Sequence, residues 1–477
     1  MKRRIVVISI AIGSIVALML IGCGIFAMTQ EHSNTLLPIE NSKDIYENAV
    51  SGIDPSQDIV LKISYTNEMT IGDSVLIESS KKTLEYDILK SGETRIRLDE
   101  TLTSGSYSFR IEETFLDNTI FMTVNDVPFT ATCSKEEYNK TLIPGIILSP
   151  DLYSDISGFD NRSSYTIQFS NPSGPEKWLV DPTATLLEAN GTATVSYGGK
   201  LENSTYTATY TQNSITFKTT TYVQIEQSDI DIQQPPDASL YTPIASWETP
   251  RMLECACGFL MQSDSISSSY KDSIYFQAFG DLWTQNITLH ATSKAGLTMD
   301  MTTNVNIKND TKQDQQTTYT KKERFINGQY FVSTNEDAPM VNENISAETV
   351  TTYIQNQLVS TIILPQDIAS ADMTEDADIL RIHFTGTDEF GNFLLTNACK
   401  VLYNDTSVAD DAINNFVPNK LDVYLEIQCF TGLPVASGIE LEGNYKKDGI
   451  PYQLLYTAEQ SYCIPSAAQI ETEKSAG

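Results

Sequence analysis

Three histidines, two Ser-x-x-Lys spacings and one Cys-x-Cys are the places where this sequence could do chemistry. A general base at neutral pH is most often histidine, and histidine is also a common zinc ligand. His32, His290 and His383 are far apart, and neither HExxH nor GxSxG occurs. His383 alternates with apolar neighbours in Leu380–Phe384, so its side chain is expected on the surface. A Ser-His-Asp triad or a zinc centre would have to draw on His290 or His383 with partners that no motif marks. Ser79-x-x-Lys82 and Ser268-x-x-Lys271 match a serine-lysine spacing. Neither is followed by Ser-Asp-Asn or Lys-Thr-Gly, and both are expected in solvated loops. Cys255-Ala-Cys257 would put two sulfurs on one face of a strand and separate them on a helix. A metal site needs about four ligands, and no second pair lies nearby.

Paired carboxylates carry no signal, because the chain holds 62 acidic residues against 31 basic ones. The three tryptophans, Trp178, Trp247 and Trp283, do not cluster as they would along a sugar-binding cleft. No EF-hand spacing is present, and no cofactor is expected. A net charge of −31 opposes nucleic acid and anionic headgroups. The expected catalytic, cofactor and metal sites are therefore none. The 23 tyrosines sit mainly in alternating segments and are read as sheet packing.

The N-terminus places the chain. Lys2, Arg3 and Arg4 precede an uncharged run from Ile5 to Met28, long enough to span a bilayer, with the basic side cytoplasmic. Within it, Leu20-Ile21-Gly22-Cys23 resembles the lipobox of bacterial lipoproteins, which would make Cys23 the lipidated residue. Either reading tethers the bulk of the chain outside the cell by a single N-terminal anchor. Six further cysteines (Cys133, Cys255, Cys257, Cys399, Cys429 and Cys463) are disulfide candidates in an exported chain. Eight Asn-x-Ser/Thr sequons, among them Asn139, Asn203, Asn286 and Asn404, are expected from an Asn- and Thr-rich composition.

The elements behind these residues are mostly strands, and they recur. Arg324–Asn335 reads RFINGQYFVSTN, and Asn327-Gly328 favours a tight hairpin turn. Thr114–Asn125 reads TFLDNTIFMTVN and matches it in order: Phe115 with Phe325, Asp117-Asn118 with Asn327-Gly328, Phe121 with Phe331, Asn125 with Asn335. Lys43–Val50 is expected to be a short helix. Ser134 with Glu137 forms a capping box for another. Ser346–Leu364 carries Val350, Tyr353, Ile354, Leu358 and Ile362 at helical spacing. Tyr165–Phe169 matches Leu380–Phe384. Leu421, Val423, Leu425, Ile427 and Cys429 alternate as a half-buried antiparallel strand. Thr431-Gly432 and Asp448-Gly449 are expected turns in the second half, and Asn190-Gly191 and Asn213-Ser214 hold those places in the first.

The expected class is α+β, mostly antiparallel β, in two tandem curved sheets or half-barrels, each with one or two inserted helices. The divisions are an anchor or signal at 1–28, a spacer at 29–44, and a first β domain at 45–225. An acidic Pro-containing linker follows at 226–245, then a second β domain at 246–463 and a disordered tail at 464–477.

Thr431-Gly432-Leu433-Pro434 after the Asp422 strand, with the Arg324–Val332 hairpin, resembles the LolA-like lipoproteins of the bacterial envelope. The resemblance covers most of the second half and, more faintly, the first. It implies half-barrels whose concave faces are covered by helices and hold a lipid or other hydrophobic ligand, or an envelope protein. It carries over no catalytic residue. Val350, Ile354 and Leu358 are then the groove residues. The expected function is a membrane-tethered extracytoplasmic binding protein. The alternatives are a structural or sensory surface protein and a polymer hydrolase.

Overall fold

A computed structural model describes residues 37–463, apart from short internal segments, the longest being 143–152, 173–183, 350–360 and 403–414. Strands such as 94–104, 107–116 and 416–428 alternate buried with more exposed residues, as half-buried pleats must. They are β1 (Leu37–Pro38), β2 (Ile59–Ile71), β3 (Ser74–Ile88), β4 (Thr94–Ser104), β5 (Tyr107–Leu116), β6 (Thr119–Val124), β7 (Val127–Thr132) and β8 (Tyr153–Asp160). Then come β9 (Ser164–Pro172), β10 (Thr185–Ser196), β11 (Leu201–Gln212), β12 (Ile215–Gln227) and β13 (Thr242–Pro243). These thirteen form one sheet in the order β1-β8-β9-β10-β11-β12-β2-β3-β4-β5-β6-β7-β13.

The second sheet is built from β14 (Ser265–Phe276), β15 (Asp281–Lys294), β16 (Thr298–Asn309), β17 (Gln316–Ile326), β18 (Gln329–Thr334) and β19 (Met340–Glu343). It continues with β20 (Ile368–Asp376), β21 (Ile379–Gly386), β22 (Phe416–Gln428), β23 (Pro434–Lys447) and β24 (Ile450–Cys463). Its order is β19-β18-β17-β16-β15-β14-β24-β23-β22-β21-β20. The fold is thus mostly antiparallel β in two large open sheets with few helices, and among the described residues neither sheet closes into a barrel.

Leaving aside the two-residue strands β1 and β13, the two sheets have one strand order. In each, the last long strand pairs with the first: Ile59 lies opposite Gln227, and Ser267 opposite Cys463. The hairpins recognised in the sequence, β5-β6 and β17-β18, occupy the same place. Asp117 and Asn118 take φ of 49° and 60°, the two positive angles of a tight turn. The Asn125 side chain accepts a hydrogen bond from the Arg110 amide, and Asn335 accepts one from Thr320. Each asparagine also returns its own amide to the same partner's carbonyl.

Four helices are described: α1 (Ser42–Ser51), α2 (Lys135–Leu142), α3 (Thr249–Gln262) and α4 (Asp388–Leu402). The capping box before α2 forms as its spacing requires: the Glu137 amide donates to Ser134 Oγ at 3.2 Å and the Ser134 amide to Glu137 Oε2 at 3.1 Å. α1 buries Tyr46 and Ala49 against the first sheet, and Tyr46 meets Phe169 edge to face. α4 buries Phe390, Leu394, Leu395 and Cys399 in the second.

Several expectations are corrected. Asn190-Gly191 is not a turn; it lies inside β10, opposite Thr207 and Tyr206. Pairing on both edges, with β9 and β11, overrides the local preference of Asn-Gly. The turn falls at 197–200, where Gly199 takes a φ of 79°. Ser79-x-x-Lys82 and Ser268-x-x-Lys271 lie in β3 and β14 rather than in loops, and residues three apart on a strand point to opposite faces. Cys429 leaves the strand alternation: β22 ends at Gln428, and the Cys429 thiol is exposed in the turn. The segment 226–245 is held to the first sheet. Ile230 and Ile232 donate their amides to Asp58 and Asp87, Arg95 donates to the Ile232 carbonyl, and Thr242–Pro243 pairs in parallel with β7.

Candidate functional site

The two sheets meet at α3. Pro250 stands in its first turn, where a missing amide hydrogen costs nothing. The helix then presents two faces. Arg251, Glu254, Cys255 and Gly258 recur at helical spacing and meet the first sheet, while Leu253, Ala256 and Leu260 are buried in the shared core. The helix packs against β4 and β5 of the first sheet and β20 and β23 of the second. Gly258 sits so close to β4 that a Cβ there would lie 2.6 Å from the Ser104 Cβ. Phe259 enters a cluster of Met69, Ile71, Leu76, Ile215 and Phe217 from the first sheet and Leu433 from the second.

Beside the helix lies a cavity of about 400 Å³, within the usual range for small-molecule sites. Trp247, Met252, Phe259, Leu380 and Ile427 form its apolar wall. Glu78, Glu248, Arg251 and the thiols of Cys255 and Cys429 supply its polar groups. The Thr431-Gly432 turn closes one side. Gly432 has a φ of 73°, and a Cβ there would stand 3.2 Å from Phe259. Thr431 Oγ1 donates to the Gln428 side chain and accepts from the Leu433 amide, which sends Leu433 into the shared cluster. The Thr-Gly-Leu-Pro motif is therefore part of the junction between the sheets.

Behind the cavity the first sheet carries a buried charge cluster. Lys82 on β3 faces Glu100 on β4 in register. Glu100 is 1 % exposed and accepts hydrogen bonds from Arg251 and Ser80. Burial alone would raise its carboxyl, but Arg251, Lys82 and Ser80 together hold it below the ordinary range. Burial lowers Lys82. Glu113 on β5 takes the Tyr138 hydroxyl at 2.7 Å, and burial raises it. Burial also raises Glu78 and Glu248 at the cavity and Glu254 deeper in, where Tyr107 donates to it.

The arrangement offers an apolar volume with carboxyl, guanidinium and thiol groups at its edge. Among the described residues no histidine lines the cavity. Burial pushes the Cys255 and Cys257 thiols up, so neither supplies a ready thiolate. The two share helix α3 rather than a strand, and all six described cysteines are free thiols rather than disulfides. Elsewhere, Ser267 Oγ and His290 Nδ1 stand 2.7 Å apart on an exposed face, and among the described residues no carboxylate hydrogen-bonds that ring. His383 is exposed, as its alternation required. Among the described residues no group of three or more His, Cys, Asp and Glu is placed to hold a metal.

Of the other sequence-derived sites, Cys23 and the groove residues Val350, Ile354 and Leu358 lie outside the described residues. The residues between 5 and 28 do too, and no described helix is long and apolar enough to cross a membrane. The buried glutamates had gone unnoticed in the sequence, although the repeat marks one pair. Glu113 and Glu323 stand 210 positions apart, the spacing of the hairpins, and Glu323 likewise accepts from a tyrosine, Tyr330.

No family model and no curated protein matches the chain. Solved structures to which it is similar include LprF from Mycobacterium bovis, at 8% identity and a TM-score of 0.25, covering 42% of this chain and 98% of LprF. A DUF1329 family protein from Desulfovibrio piger is 10% identical with a TM-score of 0.15, covering 41% and 96%. A DUF3598 family protein from Nostoc punctiforme is 7% identical with a TM-score of 0.12, covering 89% and 100%. At these TM-scores none of the likenesses carries an argument about function.

Proposed function

We propose that this chain is an extracytoplasmic binding protein, tethered to a membrane through its N-terminal segment, that holds a lipid or other apolar ligand between two LolA-like half-barrels. The observation that carries this reading is the cavity at the sheet junction, with Trp247, Met252, Phe259, Leu380 and Ile427 on its wall and an exposed thiol, Cys429, at the same site. The common strand order of the two sheets supports a duplicated domain, with copies at 45–225 and 246–463. The cavity is shared between the copies, so ligand binding would require both.

The test is native mass spectrometry of the full chain purified from membranes, together with alkylation of Cys429 read by peptide mapping. A co-purifying apolar molecule whose removal speeds Cys429 alkylation supports the reading. A ligand-free chain whose Cys429 alkylates at one rate with and without added apolar probes refutes it. The tether is tested separately with Cys23→Ala. Membrane retention at the same chain length as wild type favours a spanning segment, a cleaved soluble form or a newly trapped uncut precursor favours lipidation, and wild type found wholly in the medium defeats both.

A further inference from the structure

The charges around the cavity are unequal, and this narrows the ligand. Two carboxyl groups, Glu78 from β3 and Glu248 at the start of α3, line it. One cation, Arg251, lines it as well, but Arg251 is already bound to Glu100 in the sheet behind. Among the described residues behind the cavity, the buried acids Glu113 and Glu254 outnumber Lys82. An anionic head would have to share Arg251 with Glu100, a carboxylate that is 1 % exposed and already bound to one of its nitrogens, and would stand beside Glu78 and Glu248. A cationic head would meet Glu248 and Glu78, whose side chain accepts one long hydrogen bond from the Cys255 thiol at 3.8 Å, and would break no ion pair of either carboxyl group among the described residues. Trp247 lines the same wall, and an indole is the aromatic ring to which ammonium groups are drawn most strongly.

Resting on the apolar-ligand reading above, we propose that the junction cavity selects amphiphiles with a cationic head. The ammonium group would sit between Glu78 and Glu248, and the alkyl chain would run along Met252, Phe259, Leu380 and Ile427. A cation there would favour the charged form that burial disfavours at both carboxyl groups.

The experiment uses the full chain and three soluble probes of equal chain length: octylammonium, octanoate and octanol. Occupancy is read as slowed alkylation of Cys429 by neutral iodoacetamide, resolved by peptide mapping. Octylammonium is expected to protect Cys429 at about a tenth of the concentration that octanol needs, with octanoate weakest. In Glu78→Gln/Glu248→Gln, octylammonium should fall to the level of octanol. Circular dichroism checks that the variant folds, and if it does not, the ranking of the three probes on wild type still decides. Octanoate ranking first, or octanol equal to octylammonium, overturns the cationic selectivity while leaving an apolar site. Failure of all three to protect Cys429 overturns the selectivity and the binding reading together.

Discussion

Arg251→Ala should cost far more stability than its position at the cavity edge suggests. The Arg251 side chain is 26% exposed, but its partner Glu100 is 1% exposed and has no water to turn to. Removing one member of a buried pair costs about 3–5 kcal/mol, and the partial exposure of Arg251 argues for the lower end, about 3 kcal/mol. If the cost lies in the orphaned carboxylate, it should largely vanish when Glu100 is made neutral. In a Glu100→Gln background, Arg251→Ala should cost about 1 kcal/mol, a coupling of about 2 kcal/mol. The pH dependence has a definite sign. In the wild type the Glu100 carboxyl is held down, so its stabilisation is complete above the unfolded value of about 4.3 and is lost as pH falls through the lower folded value. Without Arg251 the same burial raises that carboxyl, so the deficit of Arg251→Ala should be largest at neutral pH and shrink on acidification. Urea unfolding followed by tryptophan fluorescence suits the measurement, since Trp247 lies edge to face with Tyr138 beside the cluster. A deficit below about 1 kcal/mol at pH 7, or one equal in both backgrounds, would show that the pair does not hold α3 to the first sheet.

Three further outcomes are expected. Gly258→Ala should destabilise by a net amount of about 1 kcal/mol although alanine favours helix, because its Cβ would meet Ser104; a stabilised variant would mean that α3 does not press on β4. Tyr138→Phe and Tyr330→Phe each remove a donor from a buried glutamate and should each cost about 1–3 kcal/mol. Losses differing by more than that span in denaturant unfolding would argue against equivalent roles for Glu113 and Glu323. Asp272, 3% exposed, is raised to about 7 by burial, partly offset by hydrogen bonds from Tyr270, its own backbone and Tyr456. The folded chain thus keeps a proton that the unfolded chain releases near pH 3.9, so stability should decline as pH rises from about 4 toward 7. Asp272→Asn should flatten that decline, and identical pH profiles for variant and wild type would sink the assignment.

Much of the architecture was legible because it is written in short-range pattern. The inward face of β22 follows from Leu421, Val423, Leu425 and Ile427, and the cap of α2 from Ser134 and Glu137. The hairpin match placed two distant segments at one position in two sheets. What misled was also local. Asn190-Gly191 has turn chemistry, yet β9 and β11 claim it from both sides.

By itself the sequence determined the periods, the turns and the recurrence of Phe115, Asp117-Asn118, Phe121 and Asn125 at 325, 327–328, 331 and 335. Each depends on neighbours within a few residues or on comparison of one stretch with another. Only the tertiary structure decided what the charges meet. The strand periods put Glu78, Lys82, Glu100 and Glu113 in the inward phase with Leu76, Leu84, Leu98 and Ile111, but Arg251 belongs to a helix about 150 positions beyond Glu100. Folding α3 onto the first sheet brings them together and buries them. The desolvation that follows shifts their protonation and shapes the cavity, and it depends on distances that no window of sequence contains.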